Sequence, residues 1–128
     1  MGAWGQGHFE NDDAMDWLWL LEDDLDGSSL RAILAVVAER RPTGQPPAVE
    51  ASLALAAAAV VAKATGLSND ALPEEAEAWI SARGFVVGPE FVDLARVATL
   101  RVRDAIEGEA GSEEWFAIVD RLASQLAA

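Results

Sequence analysis

From Ala54 to Val61 the chain carries no polar side chain, and the surrounding uncharged stretch runs from Ala51 to Ala62. It is too short to cross a bilayer, which needs about 20 residues. As a helix it must therefore be covered by protein on nearly every side, which places it at the centre of a domain. Its alanines let neighbouring elements pack close. Pro46 and Pro47 suit the start of this helix, which is expected to run to about Thr65 with Gly66 as its C-terminal stop.

The rest of the sequence supplies helices to surround it. Asn11 is a good N-cap, and Asp12, Asp13 and Asp16 place negative charge where the helix dipole favours it. The first helix buries Ala14, Leu18, Leu21 and Leu25, with Trp17 widening the stripe. Glu22, Asp23 and Asp24 face away or fray the end, and Gly27 stops it. Ser28 or Ser29 caps a second helix with Leu30, Ile33, Leu34 and Val37 on one face, closed by Glu39, Arg40 and Arg41. Pro73 fits the first position of a short fourth helix whose buried side is Ala76, Trp79 and Ile80 and whose end is Gly84. Phe85-Val86-Val87, between Gly84 and Gly88, reads as a packed connector rather than a strand. Pro89 opens a fifth helix with the stripe Phe91, Leu94, Ala95, Ala98, Val102, Ala105 and Ile106. Ser112 opens a sixth in which Trp115, Ile118, Val119, Leu122, Ala123 and Leu126 repeat with helical spacing. The expectation is a single all-α domain over 1–128, a compact bundle of about six helices around the Ala-rich third one.

Charge narrows the function. Lys and Arg number 9 against 22 Asp and Glu, a net charge of −13 at pH 7, so phosphate backbones and anionic lipid are repelled: neither nucleic acid nor a membrane is expected as a partner. There is no Cys and a single His, which removes disulfides, thiolate chemistry and every metal motif built on two imidazoles. No cofactor, no metal and no catalytic set is expected. The first residues lack the basic start and apolar run of a secretory signal, and Gln6 leaves the myristoylation pattern incomplete, so a cytoplasmic location is expected.

The least generic stretch is residues 1 to 17, where glycines, tryptophans, the one histidine and several acids crowd together. Gly5 and Gly7, with Gly2, favour an irregular backbone, and Trp4 and Phe9 are its anchors, so residues 1–10 are expected to form an anchored loop packed on the bundle. A phosphate-cradling loop is a poor fit, since no strand precedes it, no Walker lysine follows, and Asp12 and Asp13 would repel phosphate. His8, Glu10, Asn11, Asp12, Asp13 and Asp16 contain enough oxygen and nitrogen for a divalent cation or a general acid/base pair, with Asp12 and Asp16 one helical turn apart. The preferred reading is that Asn11 caps, the aspartates complement the dipole and His8 bonds to backbone. Trp17 and Trp19 point about 200° apart on a helix, so both cannot enter one core face. One of them is either covered by the N-terminal loop, the preferred reading, or exposed as an anchor for a partner. Arg96, Arg101 and Arg103 read as a solvated face paired with Asp93, Asp104 or Glu107.

Ala3, Trp4, Gly5, Gly7, Phe9, Asn11, Asp12, Ala14, Asp16 and Trp17 closely resemble the N-terminal signature of a small bacterial family known as domain of unknown function 4259. That signature is similar to Met-Gly-Ala-Trp-Gly-x-Gly-Pro-Phe, then Asp or Glu, Asn, Asp, Asp, Ala. His8 stands where Pro is usual, which counts against His8 as a shared functional group and leaves any carried-over site resting on Trp4, Asn11, Asp12 and Asp16. The resemblance implies a bacterial, intracellular, single-domain helical protein and carries no activity.

The functional expectation is thus a non-enzymatic binding or interaction protein whose acidic surface meets a basic protein, a class that includes immunity-type and inhibitor proteins. A homodimer is a second expectation, since 52% hydrophobic residues leave apolar surface to bury. The alternative is a small metal-dependent enzyme with its site at the start of helix one.

Overall fold

The structure is a computed structural model and describes residues 12–24, 27–39, 48–83, 88–106 and 113–127. Among these residues there are six α-helices and no strand: α1 (Asp12–Leu21), α2 (Ser28–Ala38), α3 (Ala48–Ala64), α4 (Glu74–Arg83), α5 (Pro89–Ile106) and α6 (Glu113–Leu126). The expected loop over 1–10 and the connector Phe85–Val87 lie outside the described residues.

The third helix occupies the centre, as its composition requires. From Ala54 to Ala62 no residue is more than 6% exposed, and α3 touches each of the other five helices. Alanine side chains end at Cβ, so neighbouring axes can approach to the short end of the usual 8–10 Å range. Gly66 terminates the helix with φ of 80°, a left-handed conformation that costs an L side chain about 1–2 kcal/mol. Around it, Leu67 N–H donates to the Ala62 carbonyl at 2.9 Å and Gly66 N–H to Lys63 at 3.2 Å, which is the Schellman closure of the last carbonyls.

The helix α5 is a second hub, packed on α2, α3 and α6. Its buried stripe is Ala95, Ala98 and Val102, to which Thr99 must be added. Thr99 is fully buried because its hydroxyl donates to the Ala95 carbonyl at 2.7 Å and so needs no partner outside its own helix. The facing stripes are Leu30, Leu34 and Val37 of α2 and Val119, Leu122, Ala123 and Leu126 of α6.

Two expectations about the first turn are corrected. Helix α1 ends at Leu21 rather than near Leu25, and Asp24, expected to face away or fray the end, does leave the helix but is 5% exposed. Residues 22 to 24 close as tight turns, with Asp23 N–H on the Leu20 carbonyl and Asp24 N–H on that of Leu21. This swings the Asp24 carboxylate back to accept the N–H of Leu30 at 3.0 Å, in the first turn of α2. Asp24 thereby does the capping expected of Ser28 or Ser29; the residue at the N-cap position is Gly27, at φ 79°, which makes no side-chain cap. An acidic side chain that bonds readily to nearby backbone competes with helix continuation, and here the competing bond lies across the turn.

Polar ties join the helices outside the core. Arg101, expected to pair with an acid, instead donates from Nε to the Ala38 carbonyl at 2.9 Å, satisfying the C-terminal end of α2. Arg103 bonds Asp120 of α6 at 2.9 Å, and Arg31 Nε bonds Glu90 at 2.8 Å, linking α2 to α5. Asp70, between α3 and α4, receives both prongs of Arg121 at 3.1 and 2.9 Å together with Gln125 at 3.1 Å. Hydrogen bonding to Asp70, and then its charge, raise the Arg121 guanidinium above its ordinary value.

Two stability predictions follow from this packing. Ala58→Leu inserts a branched side chain at a position with no exposed surface, and is expected to destabilise by about 1–3 kcal/mol, read as a lower urea midpoint. Asp24→Ala leaves the Leu30 N–H without its acceptor and is expected to cost about 1–3 kcal/mol by the same measurement.

Candidate functional site

Helix α1 is divided cleanly by its period. Ala14, Trp17, Leu18 and Leu21, at i, i+3, i+4 and i+7, are all buried at 2% exposure or less. On the opposite face Asp16, Trp19 and Leu20 are exposed, and so is Asp23 in the turn that follows the helix. Trp19 is 72% and Leu20 64% exposed, so the outer face presents an apolar pair with a carboxylate at each end. Burial of the inner face fixes the direction of the outer one, so this pair is held on a rigid element.

The turn after α1 leads directly to α4. Trp79 is buried and donates its indole N–H to the Asp24 carbonyl at 2.9 Å, locking α4 against the turn. Pro73 has no N–H to satisfy; its carbonyl accepts from Ala76 and Glu77, and the Glu77 carboxylate reaches back to Leu72 N–H at 3.1 Å, so α4 starts one residue later than expected, at Glu74. These bonds bring Glu22 beside Glu74 and Glu75. With Ala78 and Trp79 they line an open cavity of about 350 Å³. A second hollow of about 460 Å³, lined mainly by apolar side chains that include Leu67, Pro89 and Val92, lies between the end of α3 and the start of α5.

Charges are distributed unevenly over this surface. The cations whose side chains are described are engaged: Arg31 with Glu90, Lys63 with Glu77, Arg96 with Asp93, Arg103 with Asp104 and Asp120, Arg121 with Asp70, and Arg101 with a backbone carbonyl. Asp16, Glu22, Asp23, Glu74 and Glu75 pair with none of these six. These five acids lie on the α1–α4 side of the molecule, while Glu39, Glu113 and Glu114, which also pair with none of those cations, stand at the end of α2 and the start of α6.

Of the residues singled out in the sequence, Trp4, Gly5, Gly7, His8, Phe9 and Asn11 lie outside the described residues. Asp12 is the first residue of α1, Asp13 is half-buried, Asp16 is exposed and Trp17 is in the core. The structure therefore separates Asp16 from Trp17, placing them on opposite faces. The Trp17 indole N–H is buried with no hydrogen-bond partner among the described residues. Among the described residues no group of three or more His, Cys, Asp or Glu is gathered as metal ligands would be. No helix among them is long and apolar enough to cross a membrane. Glu22, Glu74, Glu75 and Trp79 were not apparent as a group from sequence. Glu74 and Glu75 are far from Glu22 in the chain, and the packing of α4 on α1, with the Trp79–Asp24 bond, brings them to it.

The fold and this surface define an all-helical bundle with an acid-flanked apolar face on its first helix. The chain belongs to the family described as Domain of unknown function (DUF4259), which matches residues 2–116. That span contains α1, α4 and the cavity between them and ends within α6. No curated protein and no solved structure matches the chain.

The two buried tryptophans of this region are expected to respond differently to loss of the indole N–H. Trp79→Phe breaks the bond to Asp24 as well as removing volume, whereas Trp17→Phe removes a donor that has no acceptor among the described residues. Trp79→Phe is therefore expected to be the more destabilising, by about 1 kcal/mol, when the two variants are compared by urea unfolding.

Proposed function

We propose that the chain is a non-enzymatic binding protein, of immunity- or inhibitor-like kind, that works in the cytoplasm by meeting a basic protein with its acidic surface. The observation that carries this reading is the charge distribution: the cations whose side chains are described are consumed by internal partners, and none of them pairs with the carboxylates of the α1 outer face and the α4 start. With a net charge of −13 behind them, these groups attract a cationic partner over distances beyond contact and raise its association rate. The exposed Trp19 and Leu20 add an apolar contact in the same region, of the kind that converts electrostatic encounter into a lasting complex.

The test is recovery of the partner from cells that produce the chain natively, followed by reconstitution of the pair from purified components. The expected result is a stoichiometric complex with a protein rich in Lys and Arg, whose affinity falls steeply as salt is raised. A chain that sediments as a bare monomer in such an extract at low salt, or a reconstituted partner whose affinity is indifferent to salt, rejects the reading.

A further inference from the structure

We infer that the outer face of α1 and the cavity beside α4 together form one docking surface for a basic, amphipathic segment of a partner protein. This rests on the binding role proposed above and adds where the partner sits and what its segment must contain. Trp19 and Leu20 are neighbours on a helix whose other face is locked into the core, so their exposed side chains form a fixed apolar ridge. A large, flat side chain on a rigid element desolvates much area while losing little rotamer freedom, which is why tryptophan is enriched among interface anchors. Asp16 and Asp23 bound the ridge, one turn away on either side. Glu22, three residues after Trp19, lines the cavity together with Glu74, Glu75, Ala78 and Trp79, so the ridge and the cavity are adjacent. A space of about 350 Å³ with this lining suits the side chain of Lys or Arg. Its methylene stem lies against Ala78 and Trp79 and its charge among the carboxylates.

Charge selects the occupant. A second copy docking by a two-fold axis would set this face against itself, opposing carboxylates to carboxylates, none of which is paired with a cation whose side chain is described. A neutral apolar segment would cover Trp19 and Leu20 but strip water from the flanking acids without pairing them. A segment with an apolar stripe and flanking Lys or Arg satisfies both requirements at once.

The probe is a synthetic amphipathic helical peptide of Leu and Lys, with its Leu/Glu counterpart as control, titrated calorimetrically at low ionic strength against the full chain. Trp19→Ser with Leu20→Ser removes the ridge, and Glu22→Gln with Glu74→Gln and Glu75→Gln neutralises the cavity. Asp104→Asn with Glu113→Gln and Glu114→Gln removes the same charge at exposed positions on α5 and α6. All substituted side chains are exposed, and circular dichroism with a melting curve checks that each variant keeps its fold. The expected result is at least a tenfold loss of affinity in the ridge variant and in the cavity variant, a flatter salt dependence in the cavity variant, and less than a threefold change in the α5–α6 variant. Equal loss in the cavity and α5–α6 variants with none in the ridge variant overturns the docking surface while leaving the broader acidic-partner reading standing. No binding of the Leu/Lys peptide to the wild-type chain overturns both. A wild-type dimer in sedimentation that the ridge variant abolishes overturns the inference in favour of a second copy on this face.

Discussion

Everything in this bundle is subordinate to covering α3. A helix of alanines and valines offers each neighbour little area, because an alanine contributes a single methyl group to the interface. The compensation is proximity: where side chains end at Cβ, the facing helix can bring its own larger residues down onto the backbone. Leu18 and Leu21 of α1, Leu30 and Leu34 of α2, Val102 of α5 and Val119 of α6 are all nearly or fully buried. The large residues of the core thus lie mostly on the surrounding helices and the small ones at its centre, the interdigitation of large with small that dense packing requires. One consequence is that each surrounding helix must devote a full stripe to α3 or α5, leaving its other side to charge.

A second constraint sits at the joint between α1, α2 and α4. Asp24 uses its side chain to hold the first turn of α2 and its carbonyl to hold Trp79 of α4, so one buried residue orients three helices. The position of the acid-lined cavity is a by-product of this joint. Glu22 precedes Asp24 by two residues and Glu74 precedes Trp79 by five, and once the Trp79–Asp24 bond is made their carboxylates are carried to the same opening. The site is therefore as rigid as the fold beneath it.

Most helices are legible in the sequence because their signals are local. Gly66 could be recognised as a stop, Pro89 as a start and the stripe from Val119 to Leu126 as an inner face, since each depends only on residues within a turn or two. What the sequence hid depends on contacts made at long range. Ser28 and Ser29 obey the local rule for a cap, yet the acceptor comes from Asp24 through a reversed turn. Arg101 has acids within reach on its own helix and bonds the end of α2 instead. The opposed directions of Trp17 and Trp19 were legible, and so was the conclusion that one of them must leave the core. That Glu74 and Glu75 would stand beside Glu22 was not, because the bond that brings them together spans 55 positions in the chain. The residues of the N-terminal signature before Asp12 lie outside the described residues, so of that signature the candidate site keeps only Asp16.

The outer face of α1 combines two features that would each be unfavourable alone. An exposed tryptophan beside an exposed leucine adds nothing to the core and invites self-association, the usual hazard of apolar surface. Carboxylates that pair with no cation whose side chain is described cost stability by mutual repulsion. In the proposed complex the two correct one another: the acids beside the ridge would oppose a second copy, and the ridge would give them an apolar contact that bare charge lacks. Repulsion of the wrong partner and attraction of the right one would then come from the same carboxylates, which is the way charge ordinarily contributes to specificity more than to affinity.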